Sequence, residues 1–218
     1  MHNNEFLFNF LKKCRISLDF LESIAFVIFW VLMIYGFDKP YVAGLTLLSV
    51  AIHEMGHECC MFAISGERGR IRGVANGFKM QSKKHLSYRE EIWLYASGAL
   101  ANLIAALLAL PIKAIGGVYT DTFVALNLTT AISNLLPVRN YDGYGVIRSL
   151  INRHGAPLWA HRLLSGVSLS VSFLTVVLSL YLMSIYGEGY WIYGVFFFAM
   201  LSELDNVFGN QKTGFMEI

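Results

Sequence analysis

Charge is scarce in this 218-residue chain: Asp, Glu, Lys and Arg together make up 15% of it, against about 25% in soluble domains. Hydrophobic residues reach 56% and the mean hydropathy is +0.52, which excludes an ordinary water-soluble globule and makes this a membrane protein. The net charge of +2 is too small to recruit nucleic acid, so no nucleic-acid partner is expected. Cysteine is limited to Cys14, Cys59 and Cys60, too few for a disulfide framework, and two of these are neighbours in an apolar run. No small-residue cleavage site follows an apolar stretch near the N-terminus, so a cleaved signal peptide is not expected. Low-complexity tracts and internal repeats are absent, and the length suits a single domain.

What is there is a set of long apolar stretches. Six are candidate membrane helices, at about 18–37, 41–65, 92–115, 122–136, 163–186 and 190–201, judged against the ~20 residues that cross ~30 Å of hydrocarbon. The expected fold is therefore an all-α integral membrane protein, one polytopic domain over residues 1–218. The fourth stretch is short and stops at Pro137. A helix broken at membrane depth is tolerated only where it faces protein or a wet cavity.

The basic residues orient these spans. With the N-terminus in the cytoplasm, the segments on that side hold fifteen of the 17 lysines and arginines, leaving Lys39 and Lys113 outside. That bias predicts six spans with both termini cytoplasmic, in a cell membrane that we expect to be bacterial. The connection 66–91 is too long for a plain connector. Its Asn76-Gly77 lies between the β-compatible runs 70–75 and 78–81, which signals a short β-hairpin with Asn-Gly in the turn. A solvated basic loop accounts for the charges equally well.

The second stretch carries His53-Glu54-Met55-Gly56-His57, an HExxH sequence. Residues four apart on a helix share a face about 6 Å apart along the axis, so both imidazoles can reach one Zn²⁺. Glu54, beside the first ligand, is placed to take the proton of an attacking water. Ionisable groups at membrane depth are costly and mark sites, and here His53, Glu54, His57 and Glu58 fall within six positions. Counting about 1.5 Å per residue from Tyr41 puts His53 about 18 Å from the outer boundary, nearer the cytoplasmic face. A catalytic zinc needs a third protein ligand and an open position. The segment 134–143 offers Asp142 on the same side at similar depth, although Asp-Gly after a helix is also a common turn.

With HExxH on one helix and an NxxPxxxxDG segment on a later one, the sequence resembles the site-2 protease family of intramembrane metalloproteases. The run 96–102 is similar to that family's small-residue AGPLAN run, without its proline. Ala160-His161-Arg162 before the fifth span resembles the sporulation-factor branch, whose C-terminal sensing domain is not expected here, nor is an inserted PDZ domain. Arg139-Asn140-Tyr141 and Gly143-Tyr144 depart from the family pattern around the aspartate. The resemblance implies a three-helix catalytic core with one Zn²⁺ per chain, held by His53, His57 and Asp142. It also implies that Glu54 activates water and that Asn134 holds substrate backbone or the developing oxyanion. An interhelical hydrogen bond explains Asn134 equally well, and Asn102 reads as ordinary packing glue.

The implied activity is zinc-dependent endoproteolysis of a membrane-anchored protein within or next to its transmembrane segment, near the cytoplasmic face. The expected partners are that substrate, the lipid bilayer and a membrane regulatory protein. The alternatives are a CAAX-type membrane metalloprotease completed by Glu203 and a non-catalytic metal-binding or helix-binding membrane protein. The first leaves the segment 134–143 unexplained, and the second has no need of a base at Glu54. Cys59 lies two residues beyond His57 on another helix face, so it and Cys60 read as small apolar filling. Tyr144, Trp159, Tyr190 and Trp191 read as interfacial anchors.

Overall fold

The computed structural model describes residues 39–66, 70–74, 77–81, 85–139 and 141–186. These form helix α1 (Pro40–Ser65), strands β1 (Arg70–Val74) and β2 (Gly77–Gln81), and helices α2 (Tyr88–Ala109), α3 (Lys113–Asn134), α4 (Asp142–Arg153) and α5 (Leu158–Tyr186). A 3₁₀ turn at Leu110–Ile112 joins α2 to α3. Two helical stretches, Tyr88–Ile112 and Leu158–Leu182, are long and apolar enough to cross a membrane. The stretches 18–37 and 190–201, and with them Glu203, Tyr190 and Trp191, lie outside the described residues.

Local chemistry moves several boundaries away from those the hydropathy pattern suggests. Ser87 caps α2 by accepting from the Glu90 amide, while the Glu90 carboxylate accepts from the Ser87 amide at 2.7 Å. This capping box satisfies two N–H groups that a helix start leaves unpaired. The helix therefore begins at Tyr88, before the apolar run at 92. At the other end Pro111 has no amide hydrogen to continue an α-helix, and the chain tightens into the 3₁₀ turn. What reads as a short fourth helix from 122 is the longer α3, starting at Lys113 and kinked at Gly117, whose φ of 54° is left-handed. In the hairpin, Val74 pairs with Gly77 and Arg70 with Gln81. Gly77 is thus a strand residue, not a turn residue as the Asn-Gly signal suggests.

Helix α1 packs on α2 and α3, and α2 also packs on α3 and α4, so α2 is central. The interfaces are built from small residues: Ala43, Ala99, Ala106 and Ala131 are buried, as are Ser49, Asn102 and Asn127. Without water to squeeze out, helices in lipid associate by close backbone approach and interhelical hydrogen bonds. Gly56 and Gly98 allow the closest approach, since a Cβ on Gly56 would meet the Ser97 carbonyl oxygen at 2.6 Å and Ala101 Cβ at 2.7 Å. Large apolar side chains point outward instead, among them Ile104, Leu107 and Leu108 on α2 and Phe173, Leu174 and Leu178 on α5. So continuous an exposed apolar surface suits lipid and not water. Trp159 is exposed, whereas Tyr144 is half-buried beneath the Arg139 guanidinium, 5.3 Å from its ring.

Candidate metal centre

His53 and His57 project from one face of α1 toward α2, with ring centroids 4.8 Å apart and planes crossed at 88°. The third member arrives from far along the chain. After α3 ends, the chain turns sharply over 135–139, with the Val138 amide donating to Leu136 O and the Tyr141 amide to Val138 O. Its Arg139 amide donates to Ser168 Oγ on α5 at 2.8 Å, and the guanidinium donates to Ser165 Oγ at 3.2 Å. The chain then enters α4 with Asp142 as its first residue. The aspartate is therefore not in an Asp-Gly loop turn; it sits in the first turn of a twelve-residue helix, where the exposed amide ends favour a negative charge. The sequence hides this helix because Asp142-Gly143-Tyr144-Gly145 reads as a turn. Gly143 and Gly145 serve as contact points: a Cβ on the first would overlap the Leu135 carbonyl and on the second would press into the Tyr95 ring. Ser149, further along α4, donates to Glu91 of α2 at 2.7 Å.

Asp142 Oδ2 lies 2.9 Å from His53 Nε2 and 3.1 Å from His57 Nε2, and the two Nε2 atoms are 3.2 Å apart. A zinc with ligands at about 2.0–2.1 Å sets its donor atoms about 3.3 Å apart in a tetrahedral site. The triangle is close to that size. Its chemistry fits as well. Nδ1 of His57 faces the Leu94 carbonyl at 2.8 Å and Nδ1 of His53 faces Asn102 Oδ1 at 2.8 Å. Both oxygens only accept, so each Nδ1 carries the hydrogen and each Nε2 presents a lone pair. Two lone pairs and a carboxylate oxygen thus converge on one point with no hydrogen between them. Such an arrangement calls for a cation, and the imidazole–imidazole–carboxylate set suits zinc.

Among the described residues this is the His/Cys/Asp/Glu cluster with metal-binding geometry; Cys59 and Cys60 do not join it, the former being exposed. Glu54, next to His53 on α1, is half-buried. Asn134 occupies the last residue of α3 and donates to Thr130 O in its own helix at 3.0 Å. Asn102 is the residue that sequence reasoning undervalues: instead of serving packing alone, it touches the His53 imidazole 49 positions away in the chain. Burial pushes the Tyr141 phenol up to about 12, and its hydroxyl is buried without a hydrogen-bond partner among the described residues.

No family of known proteins matches the chain, and no curated protein matches it. A solved structure does: the site-2 protease from Methanocaldococcus jannaschii superposes with a TM-score of 0.59 at 18% identity, over 91% of this chain and 90% of that one. At that identity the likeness is one of fold.

Proposed function

We propose that the chain is a zinc-dependent intramembrane endopeptidase of the site-2 protease type, with one Zn²⁺ held by His53, His57 and Asp142. The observation that supports this most is the convergence of His53 Nε2, His57 Nε2 and Asp142 Oδ2 within 2.9–3.2 Å, with both Nδ1 hydrogens already bound to oxygens. The fold shared with a site-2 protease supports the same reading. Zinc in such a site supplies Lewis-acid polarisation of a peptide carbonyl and of the attacking water.

The protein's own groups divide the remaining work. The Glu54 carboxylate takes a proton from the attacking water and returns it to the leaving nitrogen, since it stands within one turn of both histidines on α1. Asn134, at the end of α3, offers its amide to substrate backbone or to the developing oxyanion. Asp142 and the two histidines fix the reaction at one point. The burial of His53 keeps bulk water from that side of the centre.

The substrate is a membrane-anchored protein cut within or beside its transmembrane segment near the cytoplasmic face, as in regulated intramembrane proteolysis. A helical peptide bond is protected by its hydrogen bonds, so the substrate must be held extended, and an edge of the β1–β2 hairpin can do so by strand addition. Six spans with both termini cytoplasmic agree with the distribution of Lys and Arg, and we place them in a bacterial cell membrane. A membrane regulatory protein, or prior trimming of the substrate, controls access.

The test is zinc stoichiometry of the full chain purified in detergent, beside Asp142→Ala and Glu203→Ala. About one zinc per chain, lost or weakened with Asp142→Ala and kept with Glu203→Ala, is the expected result. Zinc that depends on Glu203 overturns the site-2 assignment, and no zinc under any condition overturns the enzyme.

A further inference from the structure

His57 is oriented by a backbone carbonyl, but His53 is oriented by a chain of side-chain amides that crosses three helices. The chain begins at Phe123 O on α3, which can only accept. Asn127 must therefore turn Nδ2 toward it, at 2.9 Å, and Oδ1 away. That Oδ1 accepts from Asn102 Nδ2 on α2 at 2.8 Å. The Ser49 carbonyl of α1 accepts from the same Asn102 nitrogen at 2.9 Å. With both amide hydrogens committed, Asn102 has only Oδ1 left for His53 Nδ1, 2.8 Å away. Each polarity follows from the one before it, and none depends on a rotatable hydroxyl.

We infer that Asn102, held by Asn127 and Ser49, is the positioning residue of the metal centre, fixing the His53 tautomer so that its Nε2 lone pair faces the ion. The inference rests on the reading of His53, His57 and Asp142 as a metal site. Turning the Asn102 amide over would place its oxygen against two oxygen acceptors and its nitrogen against a ring nitrogen that then loses its hydrogen. That exchange forfeits two buried hydrogen bonds at once, to Ser49 O and Asn127 Oδ1, each costly to leave unmade, and turns the His53 lone pair from Nε2 to Nδ1. Asn102 and Asn127 have no exposed surface, so water does not repair the loss. Asn102 touches Nδ1 and not the ligand atom, and acts on the ion only through the imidazole. Partners of this kind set ligand orientation and basicity at metal sites in general.

The experiment measures zinc affinity of the full chain in detergent by competition with a chromophoric chelator, together with the visible spectrum of the cobalt-substituted protein. Asn102→Leu removes the acceptor and is expected to weaken zinc by about 10–100-fold and to alter the cobalt bands. Asn102→Asp keeps an oxygen for Nδ1–H but can donate to only one of Ser49 O and Asn127 Oδ1, and only as the protonated acid, so it is expected to bind zinc more weakly than wild type and more tightly than Asn102→Leu. Asn127→Leu leaves the Ser49 carbonyl in place and gives an intermediate loss. Folded Asn102→Leu that binds zinc as tightly as wild type overturns the relay. If that variant does not fold, Asn127→Leu decides: a loss of zinc affinity with altered cobalt bands supports the relay, and wild-type affinity with wild-type bands overturns it. A wild-type chain without zinc overturns the metal centre itself, a result distinct from either.

Discussion

Gly98 of α2 lies so close beneath His57 of α1 that a Cβ on it would stand 2.5 Å from Nε2, and 2.8 Å from Nε2 of His53. The hydrogen of Gly98 is thus all that fits between the α2 backbone and the converging imidazoles. Gly98→Ala is expected to push both rings off their common point and to reduce zinc affinity by more than about tenfold. Gly44→Ala, where nothing lies within 4 Å of the added carbon, serves as control and leaves zinc unchanged. Chelator competition on the two variants decides between them, and undiminished affinity in Gly98→Ala contradicts the geometry.

Glu54 is assigned the proton and not the ion. Glu54→Gln keeps the shape of the side chain and removes the base. Cleavage of a co-reconstituted single-span substrate should fall by about 10²–10⁴-fold, while metal analysis still returns one zinc per chain. Simultaneous loss of zinc would make Glu54 a ligand and refute the division of roles.

Tyr141 carries a buried hydroxyl with no partner among the described residues. Burying a hydroxyl without a hydrogen bond costs about 1–3 kcal/mol. Tyr141→Phe is therefore expected to leave stability unchanged or to raise it, against the usual direction for a buried truncation. Thermal unfolding in detergent measures this, and a clear drop in Tm would show that the hydroxyl has found a partner.

The hairpin prediction concerns substrate and not metal. Val74 pairs with Gly77 at the closed end of the β1–β2 ladder, and a proline at 77 fixes φ and removes an amide donor there. Gly77→Pro should lower cleavage while zinc content stays at the wild-type level. Undiminished cleavage of a matched substrate would remove the hairpin from the substrate-binding surface.

The parts of this molecule legible from sequence are those whose physics is local. His53 and His57 announce their shared face by a spacing of four, and the apolar stretches of α2 and α5 announce themselves by length. Asp142 is visible only beside the histidines, because its separation of 85 positions from His57 leaves no periodic trace. Helix α4 goes unseen, since its opening glycines, needed for contact with Leu135 and Tyr95, are also the residues of turns. Asn102 goes unseen for a related cause. One asparagine in a run of Ala, Gly and Leu looks alike whether it bonds a neighbouring backbone or a ligand imidazole, and only the packing of α1, α2 and α3 distinguishes them. The start of α2 is the opposite case: Ser87 and Glu90 spell a capping box that apolar periodicity alone passes over.

The ligand set is unevenly distributed along the chain, two donors four residues apart on α1 and the third at the head of α4. A link between near neighbours restrains the unfolded chain little, whereas one that closes a loop of 85 positions removes considerably more of its freedom. An ion held by the proposed ligands would thus work as a fastener between α1 and α4, with α2 clasped beneath it at Gly98. Saturation at about a hundred times the dissociation constant would add about 2.7 kcal/mol to whatever holds the helices together. Chelation should then release α4 and the 135–139 turn first, leaving α1 and α2 joined along Gly56 and Gly98.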